Sequence, residues 1–311
     1  MSRPAADSHA TPGREGEGKR ALITGVHGFT GHYLARELAA AGYRVFGTVI
    51  PGHEAGPDLF EVDLCDRGAV AAMVDQVQPD VVAHLAAISF VAHADADAMY
   101  RVNVVGTRNL LEALAGARHR PSAVLLASSA NIYGNAGVAR IGEDVAPAPA
   151  NDYAVSKLAM EYMARLWMDR LPIVIARPFN YTGRGQAEHF LLPKIVAHFR
   201  RRAPRIELGN LNIARDFSDV RMVAAAYRRL LAASPAGEVF NICSGRSHSL
   251  ANVIDTLDDM AGYRIEVDVN PAFVRANDVL RLEGSNDKLA GAIGALEPIP
   301  LAETLRWMYQ E

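Results

Sequence analysis

The chain has 311 residues, 50% hydrophobic and 22% charged, and its 32 basic and 35 acidic side chains leave a formal net charge of −3. That balance gives no electrostatic footing for nucleic acid or a membrane surface, and no run of roughly eighteen apolar residues marks a membrane span. The two cysteines, Cys65 and Cys243, have no metal-ligand spacing, so no metal is expected and reduced thiols in a cytoplasmic protein are.

Residues 1–18 are polar and rich in Gly and Pro, without an apolar stretch to serve as a signal-peptide core, and read as a disordered tail. From Lys19 the pattern changes. Ala21-Leu22-Ile23-Thr24 is β-prone, Gly25-x-x-Gly28-x-x-Gly31 follows, and an amphipathic segment runs from His32 to Ala41. Strand, glycine loop and helix in that order bring backbone N–H groups and a helix N-terminus against a pyrophosphate. A dinucleotide is therefore expected, although the spacing differs from the commoner G-x-G-x-x-G.

Alternation continues. Val45–Val49 reads as a strand, Asp66 caps a helix through Val77, Val81–Leu85 is a strand, and a helix covers Ala98 to Ala115. Ala123–Ser129 and Ile173–Ala176 are strands on either side of a helix that opens at Asn151 or Asp152. Near-continuous apolar strands separated by helices indicate an α/β fold, a doubly wound parallel sheet covered on both faces. After the second strand an acid would bind the ribose of NAD and an arginine the 2′-phosphate of NADP. Thr48-Val49-Ile50-Pro51-Gly52-His53 offers neither, so the preference between NAD(H) and NADP(H) stays unresolved. Asp63-Leu64, after the next short strand, fits an adenine contact and a helix cap equally well. Arg200-Arg201-Arg202 reads as a solvated helix end.

Asn151-Asp152-Tyr153-Ala154-Val155-Ser156-Lys157 places Tyr153 and Lys157 one helical turn apart on one face, with Val155, Leu158, Tyr162, Met163 and Leu166 recurring at helical spacing behind them. A phenol titrates at about 10 and an ammonium at about 10.4. A cation one turn away favours the phenolate and moves the tyrosine toward a range where it exchanges protons.

Together, Gly25-x-x-Gly28-x-x-Gly31, Asp63-Leu64, His84-Leu85-Ala86-Ala87, Asn103, Ser128-Ser129, Tyr133-Gly134, Tyr153-x-x-x-Lys157 and Arg177-Pro178-Phe179-Asn180 resemble the extended short-chain dehydrogenase/reductase family of nucleotide-sugar enzymes. The likeness covers essentially the whole chain after residue 18. Within it, Arg177 through Gln186, Leu208 through Arg221, Phe240 through Gly245 and Asn270 through Ser285 look most like the GDP-4-keto-6-deoxy-D-mannose reductases.

The resemblance implies a Rossmann-type domain over residues 19–180 and a smaller, mainly substrate-binding part over 181–311, with Phe240–Cys243 returning to the main sheet. It implies that Ser129 holds the keto oxygen, that Tyr153 gives the proton, and that Lys157 binds the nicotinamide ribose while keeping Tyr153 acidic. Gly25, Gly28, Phe29, Thr30, Gly31, Asp63, Leu64, Leu85, Ala86, Ala87 and Asn103 would lie along the cofactor. Arg215 and Arg275 would clamp the substrate pyrophosphate as guanidinium forks, with Asn180, Lys194, Leu208 and Asp278 on the sugar or nucleoside. The helices over 98–115 and after Tyr153 carry apolar residues beyond one stripe, Val105, Leu110, Leu111 and Leu114 on one and Ala159, Met163 and Trp167 on the other. A homodimer through a four-helix interface is expected.

Relatives that dehydrate at C4 and C6 carry carboxylates just after the catalytic Ser or Thr, where this chain has Ala130 and Asn131. Alanine transfers no proton, so a reductase is expected over a 4,6-dehydratase. Its substrate would be a GDP-4-keto-6-deoxyhexose and its product GDP-D-rhamnose or the C4 epimer, GDP-6-deoxy-D-talose. Asn131, Ile50, Phe273, Ala276 and the segment Ala295–Pro298 depart from the reductase pattern. A 4-epimerase would use the same triad without consuming reductant. A regulatory protein that only senses the cofactor has no reason to keep Ser129, Tyr153 and Lys157 together.

Overall fold

The computed structural model describes residues 14–52, 56–89, 95–211, 213–271 and 281–311. In chain order its first half contains β1 (Arg20–Thr24), α1 (Phe29–Ala40), β2 (Arg44–Val49), β3 (Leu59–Glu61), α2 (Arg67–Val77), β4 (Val81–His84), α3 (Ala96–Tyr100), α4 (Thr107–Gly116), β5 (Ala123–Ala127), α5 (Asp152–Arg165) and β6 (Ile173–Pro178). There follow β7 (Asn180–Thr182), α6 (Leu191–Arg200), β8 (Arg205–Leu208), β9 (Ala214–Asp219), α7 (Val220–Ala233), β10 (Val239–Ile242), β11 (Ser247–Ser249), α8 (Leu250–Ala261), β12 (Glu266–Val269), β13 (Arg281–Leu282), α9 (Asp287–Ile293) and α10 (Leu301–Tyr309).

Leu22, Val82, Leu125 and Ile175 are all fully buried, one on each of four adjacent strands, because helices cover the sheet on both sides. Seven strands run in the order β10-β6-β5-β4-β1-β2-β3, each pair parallel. Leu34 and Leu38 of α1 and Val223, Tyr227 and Leu230 of α7 fill one face, while Met73 of α2, Leu110, Leu111 and Leu114 of α4 and Met160 of α5 fill the other. Strand order reverses beside β1, so the C-terminal ends of β1, β4 and β5 open on one crevice, the usual ligand position in such sheets.

β10, built from Val239–Ile242, is the seventh strand and pairs with β6, as the sequence suggested for this stretch. The remaining elements form a smaller layer in which β11-β9-β13 and β7 make one sheet, β12 and β8 another, and α6, α8 and α10 share a core around Phe199, Leu257 and Leu305.

Four expectations are corrected. Residues 14–18 belong to no disordered tail: they form a turn whose Gly16 N–H bonds Ala41 O and whose Glu15 pairs with Arg228. The first helix starts at Phe29, so Gly31 lies inside it. The segment expected as a helix over 98–115 spans Ala96–Gly116 with a π turn over Arg101–Gly106, where Thr107 Oγ1 donates to the Asn103 carbonyl at 2.7 Å. Leu110, Leu111 and Leu114 are core residues and face no partner.

The buried face of α5 holds Tyr153, Ser156, Lys157, Met160, Glu161 and Ala164, whereas three of the apolar residues at helical spacing lie at the surface: Val155 is 38%, Tyr162 58% and Leu166 79% exposed. The polar buried face is held by a charge pair. Glu161, 1% exposed, accepts from Arg177 Nη2 at 2.7 Å, Arg177 Nε at 3.0 Å and Ser128 Oγ at 2.5 Å. Arg177 in turn donates to Tyr133 Oη at 2.8 Å, and that hydroxyl donates to Asn241 Oδ1 on β10.

Removing one member of such a pair leaves the other charge uncompensated in the interior. Glu161→Ala is expected to lower the unfolding free energy by about 3–5 kcal/mol in urea titration. A loss below about 1 kcal/mol, the range of an exposed pair, would show that water reaches Arg177.

Candidate active site

The loop from Gly25 to Gly31 is shaped by two close approaches. Gly25 sits at φ +72°, against the backbone of Ala86, and its N–H donates to Thr48 Oγ1 at 3.2 Å. At Gly31 a Cβ would overlap the carbonyl oxygen of Gly25 and lie 2.7 Å from that of Val26, so only glycine lets α1 start this near the turn. Gly28 caps α1 without a side-chain hydrogen bond, leaving first-turn N–H groups directed toward the crevice.

A second device fixes β1 to β4. Thr107 Oγ1 spends its proton on Asn103 O, so His84 Nε2–H donates to Thr107, and His84 Nδ1 accepts from Thr24 Oγ1 at 2.7 Å. Thr24 Oγ1 then accepts from the N–H groups of Leu85 and Ala86. The imidazole is neutral, its pKa held down to about 3 by burial and by the charge of Lys157. Asn103 continues the chain, exchanging two hydrogen bonds with the Ile88 backbone and donating to Ser156 Oγ on α5. The loop after β4 is thereby tied to both helices beside it.

The crevice contains a cavity of about 1030 Å³. Gly25, Gly28, Phe29, Thr30, Gly31, Leu85 and Ala87 line it, as do Ser129, Tyr153, Lys157, Asn180 and Arg215. Asn151 Oδ1 accepts from Ala154 N at 2.9 Å and so caps α5. Tyr153 and Ser129 both line the cavity, and Ser129 Oγ accepts from Asn131 N at 3.2 Å. Lys157 Nζ donates to Ala127 O at 2.7 Å, which leaves ammonium protons for the cavity.

Burial pushes the Tyr153 phenol up to about 12, partly offset by the neighbouring Ser129 hydroxyl. Burial also brings Lys157 down to about 8, opposed by the neighbouring Glu161 carboxylate. At neutral pH both groups therefore carry their protons, the state an acid catalyst needs.

The other named residues lie elsewhere. Asn103 and Ala86 stand behind the cavity wall, holding the loop that forms it. Asp63 accepts from Cys65 N at 2.8 Å, and Leu64 is buried under α2, while the helix cap itself is Asp66. Lys194 Nζ donates to Glu207 O, and Leu208 is buried in the smaller core. Arg275 and Asp278, with Phe273 and Ala276, lie outside the described residues.

Three residues without a sequence-assigned role come forward. Glu161 follows Lys157 by four positions, a spacing that puts both on one helix face and was legible in principle. Tyr181 lines the cavity, stacks on Phe29 and shares a 2.7 Å hydrogen bond with Thr30 Oγ1. Tyr227 lines it from α7, a helix 46 residues further on, and no local pattern announces that.

The profile of the NAD dependent epimerase/dehydratase family matches residues 21–243. The chain is 34% identical over 299 residues to GDP-6-deoxy-D-mannose reductase of Pseudomonas aeruginosa, covering 93% of this chain and 95% of the relative. It is 33% identical over 276 residues to GDP-6-deoxy-D-talose 4-dehydrogenase of Aggregatibacter actinomycetemcomitans, covering 88% and 90%. A solved Burkholderia cenocepacia chain, described as a candidate epimerase, is 58% identical, with a TM-score of 0.90 over 94% of this chain and 98% of that one.

The neutral, buried His84 generates a pH dependence. Unfolded, an imidazole takes up its proton at about 6.5; folded, His84 does so only at about 3. Between these values the unfolded chain binds the extra proton, so this contribution to stability is complete above about pH 6.5 and is lost as pH falls toward 3. At pH 5 the loss from this group is about 2 kcal/mol. The stability difference between His84→Gln and the wild type, followed by urea unfolding from pH 7 to 4.5, is expected to move in favour of the variant as pH falls. A constant difference would show that His84 charges in the folded state.

Proposed function

The chain belongs to the NAD dependent epimerase/dehydratase family, and on that premise we propose that it is an NAD(P)H-dependent reductase of the C4 ketone of GDP-4-keto-6-deoxy-D-mannose. The product is GDP-D-rhamnose or its C4 epimer, GDP-6-deoxy-D-talose. The observation that carries the reading is that Ser129, Tyr153 and Lys157 line one cavity together with the glycine loop and Arg215. The two curated relatives named above support the choice of sugar, since both are named for a GDP-6-deoxyhexose.

A nicotinamide dinucleotide fits these residues: Gly25 and Gly31 let the turn and α1 pack closely at the cavity, and the start of α1, with no side-chain cap, suits a pyrophosphate. The reduced nicotinamide supplies the hydride. Ser129 Oγ accepts from Asn131 N, which holds the hydroxyl at the cavity, where its proton would turn to the ketone oxygen. Tyr153 gives up its phenolic proton to that oxygen as charge develops on it, and the two hydroxyls share the stabilisation of the oxyanion. Lys157, anchored by Ala127 O and still protonated at neutral pH, offers the resulting phenolate a positive neighbour and its remaining protons to ribose hydroxyls. Arg215, in the cavity lining, suits the substrate diphosphate.

Ala130 is buried and apolar, and Asn131 is an amide, so the positions after Ser129 hold no acid or base for a 4,6-elimination. A 4-epimerase is the second reading, favoured by the 58% identical chain described as a candidate epimerase. We assign the protein to the cytoplasm, and among the described residues no helix is long and apolar enough to cross a membrane. We further assign a homodimer through a four-helix interface, for which the exposed Val155, Tyr162 and Leu166 of α5 and Val105 in the π turn supply an apolar surface.

With freshly generated GDP-4-keto-6-deoxymannose, NADH or NADPH is expected to be oxidised in proportion to ketone consumed, and Tyr153→Phe to slow this by about 100- to 10,000-fold. Sugar turnover without net oxidation would favour the epimerase. Leu166→Glu is expected to move the protein from dimer to monomer in sedimentation velocity; an unchanged dimer would place the interface elsewhere.

A further inference from the structure

Among the described residues two buried side-chain oxygens have no hydrogen-bond partner, Ser218 Oγ and Tyr227 Oη. Ser218 lies behind β7, as the register partner of Tyr181, and takes no part in the cavity wall. Tyr227 does take part, although its side chain is only 1% exposed. A phenol buried with its hydroxyl unpaired costs about 1–3 kcal/mol, and such groups in folded proteins generally await a ligand or an ordered water.

The location narrows the choice. Tyr227 lies within electrostatic reach of the Tyr181 and Tyr153 hydroxyls. The orphan hydroxyl therefore belongs to the same cavity wall as Tyr181, which is bonded to Thr30 in the glycine loop, and Tyr153. A dinucleotide bound to the glycine loop and reaching Tyr153 would bring its nicotinamide into this region, with a carboxamide that offers two donors and an acceptor.

We propose that Tyr227 is a positioning residue for the nicotinamide end of the cofactor, its buried hydroxyl pairing with the carboxamide and so fixing the ring beside Tyr153. This rests on the reading of the cavity as a dinucleotide site. Pairing of that hydroxyl occurs only with the nicotinamide end in place, and the adenosine and diphosphate parts of the ligand are indifferent to it.

The test compares Tyr227→Phe with the wild type in calorimetric binding of the better of NADH and NADPH, and of ADP-ribose or its 2′-phosphate, which lacks the nicotinamide. The variant keeps the ring and removes an unpaired oxygen, so its ligand-free melting temperature is expected to be equal or slightly higher. Its affinity for the reduced dinucleotide is expected to fall about three- to tenfold, with ADP-ribose binding unchanged. Equal binding of the dinucleotide by both proteins overturns the proposal, as does an equal loss for both ligands, which would mark a general packing role. Failure of the wild type to bind either dinucleotide would overturn the dinucleotide reading itself, and the proposal with it.

Discussion

The buried carboxylate of Glu161 is the constraint on which the rest of the centre depends. One charge, one helical turn beyond Lys157, fixes three things at once: the guanidinium of Arg177 at the end of β6, the hydroxyl of Ser128 at the exit of β5, and the protonation of Lys157. Without it a desolvated lysine would lean toward its neutral form and a desolvated arginine would have no counter-ion. The strand ends that present Ser129 and Phe179 to the cavity are thus set by an ion pair that does not line it. The pair itself brings little net stability, since desolvation of both charges offsets most of their attraction.

A second constraint is proton-ordered. Thr24, His84, Thr107 and Asn103 form a chain in which each hydroxyl or imidazole donor has one acceptor, and the direction of every bond follows from Thr107 having given its proton to a carbonyl. The chain ends on Ile88 and Ser156, so β1, β4, the π turn and α5 move as one body.

The fold was legible because its signals are local. Apolar strands of four to six residues, a glycine loop and an Asx cap each leave a mark within one turn or one strand, and β1, β4, β5 and the Asn151 cap lie where those marks put them. Burial on α5 does not follow its hydropathy. Its inward face carries Tyr153, Ser156, Lys157 and Glu161 beside Met160 and Ala164, while Val155 and Tyr162 are exposed. A face of that composition is buried because partners on other elements meet its polar groups, such as Arg177 for Glu161 and Ala127 O for Lys157. Asn103 stood out as a single residue, but its work as a clamp on Ile88 is a contact across fifteen positions. Tyr227 depends on α7 returning to the sheet, which no pattern near residue 227 reveals. The balance of charge at Tyr153 could be read only once its burial was known.

The strand that completes the main sheet comes from residues 239–242, long after the chain has left that sheet at β6. Between them lie β7, α6, β8, β9 and α7, so the cofactor half is closed by material made after much of the smaller layer. On the ribosome, the nascent first 180 residues would present the naked edge of β6, a template for pairing with other chains. Asn241 meets Tyr133 across this same junction. Synthesis must therefore run well past Tyr153 and Lys157 before the main sheet has both its edges in place, and the two parts of the molecule are one folding unit whatever their separate roles.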